Sequence, residues 1–318
     1  MSLNSLMRRY PALFALTLLV TALLVNLYLQ PNMFAGGTLN SNLRVFLPVV
    51  LLAAGQAVVI LAGGIDISVG AIVSIVNTIL ATRVGLDGTP QAMWQYVGLS
   101  LLAGVLCGAL NGFFIANLRL QPIITTYATS FLFAGLALYI LPNPGGGIPS
   151  AIAQLYRSSA PLGIPLAIYV IAIVLALWAY LRATRFGNYL FAVGGNALAA
   201  YETGVPVTLV RFSTYVISGF MAACAGIAIT MLSGSGNAEI GASMTLNAIT
   251  AVVIGGTAMS GGVGGVAGPI MGALTLNIIQ NIISFAQIDT WWETFVKAAI
   301  IVAALATPGL INLFRRRS

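Results

Sequence analysis

The chain contains no histidine. That removes imidazole-ligated metal sites, Ser-His-Asp nucleophile systems and the usual proton shuttle. Charge is almost as scarce. Lys and Arg total 13 and Asp and Glu total 6 among 318 residues, so 6% of the chain is charged, against about 25% in a soluble domain. So few charges cannot cover a water-facing surface, which excludes a soluble enzyme, a nucleic-acid binder and a disordered chain. The two cysteines, Cys107 and Cys224, lie in apolar runs. They read as small core residues, not as a disulfide framework.

What is abundant is apolar surface: 59% of the residues are hydrophobic and the mean hydropathy is +1.00. Ten apolar segments follow one another, at roughly 10–29, 43–62, 68–82, 95–116, 123–141, 161–181, 210–231, 246–258, 265–286 and 292–312. They predict one all-α, polytopic membrane domain over 1–318, with about ten spans and a range of eight to ten. The third and eighth are short for a hydrocarbon core of ~30 Å, and each abuts a Gly-rich turn, so each is expected to be tilted, broken or re-entrant. The first run follows Arg8 and Arg9 and is longer than a signal-peptide core; it reads as a first span with its N-terminus in the cytoplasm.

The arginines orient the chain. With ten spans, the inside loops hold Arg8, Arg9, Arg119, Arg182, Arg185, Arg211, Arg315, Arg316 and Arg317, and the outside loops hold Arg44, Arg83 and Arg157. That asymmetry places both termini in the cytoplasm, including the basic tail 313–318. Trp291 and Trp292 open the last span at headgroup level. Thr290 and Glu293 have capping-box spacing, and Glu293 and Lys297 can pair on one helix face. Glycine is frequent, at 35 residues; Ala103-Gly104, Gly108-Ala109, Gly219 and the stretch 222–226 suit close helix packing.

Three stretches could carry chemistry. The first is Gly63-Gly64-Ile65-Asp66-Ile67-Ser68-Val69-Gly70. Asp66 or Ser68 there serves either as a helix cap or as an ion site inside the membrane. The second runs from Gly255-Gly256-Thr257 through Ser260-Gly261-Gly262 to Gly265. It has no Gly-Lys-Ser/Thr, so it is no P-loop, and its partial dinucleotide fingerprint sits between apolar segments with no βαβ unit. Both stretches spell Gly-Gly-x-x-x-Ser-x-Gly, a short echo that an internal repeat would explain. The third is the loop at about 182–209, where Asn196 is a good N-cap and Gly204 a good stop for a short Ala-rich helix. Such a helix either docks on another protein or merely connects two spans.

Polar residues inside spans are costly and mark candidate solute contacts: Gln56, Asn77, Asn111, Thr125, Thr126, Asn247, Asn277, Gln280 and Asn281. All are uncharged hydrogen-bonding groups. They suit a neutral polyhydroxyl solute better than an ion.

At these motifs the chain resembles the permease subunits of bacterial sugar ABC importers, the ribose, galactose, xylose and galactofuranose type. Five landmarks carry the likeness in order: 63–70, Asn111-Gly112, 122–126, 184–205 and 251–262. It spans roughly 45–315. Phe186-Gly187-Asn188, Val263 and the Trp pair look most like a galactofuranose-type permease. Ile67 stands where many members have Leu, and Val263 where many have Arg. The resemblance implies a fold similar to the permease of the cobalamin importer. It implies a bacterial inner-membrane subunit without its own ATPase site, paired with a second permease, identical or paralogous. Cytoplasmic ATPase subunits would bind the ATP and magnesium, and a periplasmic protein would deliver the sugar. The ATPase-coupling helix would fall at 196–204, using Asn196, Ala199, Ala200, Tyr201, Glu202 and Gly204, with Gly187, Gly194 and Gly195 shaping its approach. Gly63, Gly64, Asp66, Ser68, Gly70, Gly255, Gly256, Ser260 and Gly262 would be structural or gating positions. Two other readings stand beside it: a related ABC permease for nucleosides or branched-chain amino acids, and an ion-coupled carrier, for which only Asp66 is well placed.

Overall fold

A computed structural model describes residues 11–287, together with 289, 291, 292, 295, 298 and 299. Arg8, Arg9, the Thr290–Glu293 box, the Glu293–Lys297 pair, most of the tenth apolar segment and the tail 313–318 lie outside the described residues. The helices are α1 (Pro11–Leu29), α2 (Gly36–Leu61), α3 (Val69–Arg83), α4 (Pro90–Gly112), α5 (Pro122–Ile140) and α6 (Ser150–Ser158). They continue as α7 (Leu166–Ala183), α8 (Arg185–Gly195), α9 (Ala197–Glu202), α10 (Val207–Ser233), α11 (Met244–Ile254) and α12 (Ala267–Phe285). Among the described residues six helices are long and apolar enough to cross a membrane, and α1, α3 and α11 carry shorter apolar stretches.

α10 is the central post and packs against α2, α3 and α4. Its fit with α4 is made by small residues. A Cβ on Gly104 would come 2.6 Å from the Gly219 carbonyl oxygen, and one on Gly108 would meet the Tyr215 and Val216 backbone. Lipid offers no hydrophobic drive for helix association, so close backbone approach supplies the packing energy instead. Cys107 and Cys224 are free and half-buried at this level.

α3 (15 residues) and α11 (11 residues) are both short for a full crossing, and each is preceded by an irregular stretch. The break 62–68 leads into α3. The stretch 234–243 runs back beside α3: the Asn237 N–H donates to Asn77 Oδ1 at 2.7 Å, the Gly241 N–H to Ser74 Oγ at 3.2 Å, and Thr245 Oγ1 accepts the Gly70 N–H at 3.0 Å. α2 and α10 lie antiparallel, with Gly55 against Ser218 and Met221, and Gly64 against Tyr215. Helix, break and half-helix therefore occur twice in opposite senses, as 36–83 and 207–254. This is the internal repeat, and it differs from the one the eight-residue echo suggests. Both Gly-Gly pairs end helices with the same cap: Gly64 N–H bonds Val59 O and Gly63 N–H bonds Ile60 O, while Thr257 N–H bonds Val252 O and Gly256 N–H bonds Val253 O. The left-handed residue is Gly63 in one and Gly256 in the other, so the echo is one residue out of register.

The arginines divide between the two ends. Arg119, Arg182, Arg185 and Arg211 lie at the end carrying α8 and α9; Arg44, Arg83 and Arg157 lie at the opposite end. At that opposite end the stretch 142–149 forms a two-way bridge between Gly145 and Gly236 and is followed by helix α6. The Arg157 guanidinium on α6 donates to Leu232 O at 2.6 Å and so caps α10.

Candidate functional site

The break 62–68 carries backbone groups that no helix satisfies, inside an apolar bundle where each orphan costs several kcal/mol. Side chains from three helices, α2, α5 and α11, meet that demand, and α4 braces the turn through Ser68. With its amide turned to match, Gln56 of α2 donates to Asp66 O at 3.0 Å and accepts from Asp66 N–H at 3.2 Å. Thr126 of α5 accepts the Ile67 N–H at 3.1 Å. Thr245 of α11 donates to Ile67 O at 3.3 Å. Asn111 of α4 donates to Ser68 Oγ at 2.7 Å, and its Oδ1 accepts from Thr129 of α5 at 2.6 Å.

Asp66 closes this network. Its Oδ1 accepts from Ser68 N–H at 3.0 Å and Ser68 Oγ at 2.7 Å, and its Oδ2 accepts from Ser218 of α10 at 2.9 Å. The carboxylate is fully buried. It lies two residues ahead of the N-cap Ser68, whose own side chain makes no capping bond. Asp66 thus turns the chain into α3 and ties that turn to α10. Neither the Asp66 nor the Ser68 side chain accepts from the first N–H groups of α3, so the Asp66 carboxylate braces the turn ahead of the helix and does not cap it.

The second cluster joins three glycine turns at the α9 end. The Gly262 N–H donates to Leu61 O at 3.0 Å. A Cβ on Gly194 would come 2.5 Å from Gly262 N; one on Gly261 would come 2.8 Å from Gly194 O and 2.9 Å from Gly63 Cα. The turn between α8 and α9 therefore sits backbone-to-backbone on the end of α2 and on the loop between α11 and α12. Asn196 caps α9, its Oδ1 accepting from Leu198 and Ala199 N–H at 3.0 and 3.1 Å, and Gly204 (φ +84°) stops it. Ala200 points inward, while Leu198 and Tyr201 are 68% and 70% exposed and Ala199 and Glu202 are exposed beside them. Residues 185–195, expected as part of a loop, form helix α8, whose buried Gly187 packs on the end of α7.

Beside α9 opens a cavity of about 560 Å³. Its wall includes Gly63, Gly64, Arg119, Gln121, Tyr201, Thr208, Arg211 and Tyr215. Arg119 stands in the left-handed region (φ +59°) after a π-turn at Phe113–Asn117. A non-glycine residue pays roughly 1–2 kcal/mol for that backbone.

The polar residues expected to face a solute fall into two groups. Gln56, Asn111 and Thr126 belong to the network around the break. Asn77 bonds Thr230 and the backbone of Ser235 and Asn237; Thr125 and Asn277 bond carbonyls of their own helices. None of these six lines the cavity. Gln280 is exposed, Asn247 half-buried, and Asn281 Nδ2 is buried without a partner among the described residues. Sequence reasoning missed Ser218, Thr129 and Thr245, because one hydroxyl in an apolar helix carries no spacing signal. Arg119 and Arg211 were legible only as charge.

A bundle of apolar helices, with two short helices meeting inside it, is the architecture of a membrane-embedded subunit. Residues 38–305 match the family described as the branched-chain amino acid transport system permease component, and the chain belongs to it. It is similar to the ribose import permease protein of Haemophilus influenzae, 32% identical over 282 residues, 87% of this chain and 86% of that one. It is similar to the D-allose transport system permease protein of Escherichia coli K12, 30% identical over 303 residues, 93% and 91% of the two chains. The autoinducer 2 import system permease protein of Photorhabdus temperata is 31% identical over 311 residues, 94% and 91%. No solved structure matches the chain.

Proposed function

We propose that this chain forms half of the membrane path of an ATP-driven sugar importer. A second permease supplies the other half, partner ATPase subunits bind the ATP and magnesium, and an external binding protein delivers a monosaccharide. The observation that carries the reading is the joint at Gly194. α9 offers Leu198 and Tyr201 outward, and the turn at its base rests on Leu61 and Gly262. A motor that grips α9 from the cytoplasm would move the end of α2 together with the loop that follows α11. The sugar cargo is supported by relatives whose names give ribose and D-allose as what they import.

In this reading the α9 end faces the cytoplasm, in keeping with the arginine division. The cavity beside α9 is the inner vestibule. The network around Asp66 holds the break in shape and carries no ion. Replacing 196–203 with a Gly/Ser linker of equal length tests the coupling role. Uptake and ATPase association should both be lost; normal uptake with normal association overturns it. Uptake that stops when the proton gradient is collapsed with ATP present would point instead to an ion-coupled carrier. A ligand screen on the partner binding protein decides between a sugar, a nucleoside and a branched-chain amino acid.

A further inference from the structure

The cavity beside α9 has a feature that a neutral sugar does not require. Two guanidinium residues line it, Arg119 from the loop before α5 and Arg211 from α10, and no carboxylate does. Among the described residues neither arginine has an ion-pair partner. Thr208, Thr214, Tyr201, Tyr215 and Gln121 supply the other polar side chains of its wall. Arginine presents a planar fork of donors suited to the oxygens of a phosphate group. The backbone supports the same conclusion. The chain keeps an arginine at φ +59°, a helix-end position where glycine is free of strain, directly after a π-turn. π-turns and left-handed non-glycine residues concentrate where a side chain must be aimed.

We propose that the cavity between Arg119 and Arg211 is an anion site that takes a phosphate group. Its source is either a soluble phosphorylated polyol or a phospholipid headgroup. The volume, about 560 Å³, admits either. Because the wall includes Leu198 and Tyr201 of α9, an occupied site obstructs the vestibule and the docked helix together. That consequence, inhibition of uptake from the inner side, rests on the function proposed above; the binding itself does not.

The test therefore reads binding on the full-length permease alone, with no ATPase and no transport. Thermal stability and a binding isotherm are measured in zwitterionic nanodiscs with inorganic phosphate and with a sugar phosphate, and in nanodiscs containing an anionic phospholipid. Wild type should be stabilised by at least one of these. Arg119→Gly removes the guanidinium while relieving the backbone, so it should fold at least as well and lose the response at least tenfold in affinity. Arg211→Lys keeps the charge but loses the fork, and should weaken binding severalfold. A response to free phosphate in zwitterionic discs identifies a soluble ligand; a response to anionic lipid alone identifies a headgroup. No response in any arm overturns the site, as does an undiminished response in either variant.

Discussion

Gly70 and Gly241 touch backbone to backbone, and neither has room for a Cβ. Gly70 stands in the first turn of α3, and Gly241 lies just before α11. The two half-helices start from this contact and run apart, which lets two interrupted spans share one crossing point. Thr245 completes it by accepting the Gly70 N–H.

Gly70→Ala should therefore separate the two half-helix starts. Overpacking a fixed backbone contact costs roughly 1–3 kcal/mol. The expected outcome is a lower melting temperature in detergent and lost uptake. Gly98→Ala, at a helix position with open space around it, should leave both unchanged.

Ser218→Ala should strand Asp66 Oδ2, whose hydrogen-bond partner is that hydroxyl. A buried acceptor left unpaired costs about 1–3 kcal/mol, and more when it is charged. Ser213→Ala, on the same helix but half-buried and bonded only to its own helix, should cost little. Thermal melts of the two variants side by side check the difference. Equal melts would show that the Asp66–Ser218 bond does not hold the break.

Asn196→Ala removes the acceptor for two α9 N–H groups, a loss of about 1 kcal/mol at an N-cap. Leu198→Asp leaves the helix intact but alters its outer face. The cap variant should raise hydrogen exchange across 197–202 while the rest of the bundle stays protected. The face variant should fold normally yet fail to co-purify with the ATPase subunit. Retained co-purification would place docking elsewhere.

Asn77→Leu should free the stretch 234–243 at its outer end. Asn77 bonds Thr230, Ser235 and Asn237 at once, and leucine restores none of the three. Backbone exchange at 235–237 should rise several-fold, with a smaller change at 241–245, which Ser74 and Thr245 hold independently. Uniform exchange across the stretch would show that Asn77 does not anchor it.

Much of this protein was readable before folding because the membrane simplifies the physics. A chain with 6% charge must present apolar side chains outward, so segment positions and helical class follow from composition. The short third and eighth segments, the cap at Asn196 and the small-residue stripe at Gly104 and Gly108 were legible for the same reason: each depends on residues close in sequence. The tertiary structure alone decided what those signals meet. Asp66 finds Ser218 across 152 positions, Gly70 finds Gly241, and the Gly194 turn reaches both Leu61 and Gly262. It also tied three of the seven expected solute-facing amides, Gln56, Asn77 and Asn111, into the irregular stretches. Buried N–H and C=O groups in an apolar medium take whichever polar side chain the topology brings near, and local sequence does not encode that choice.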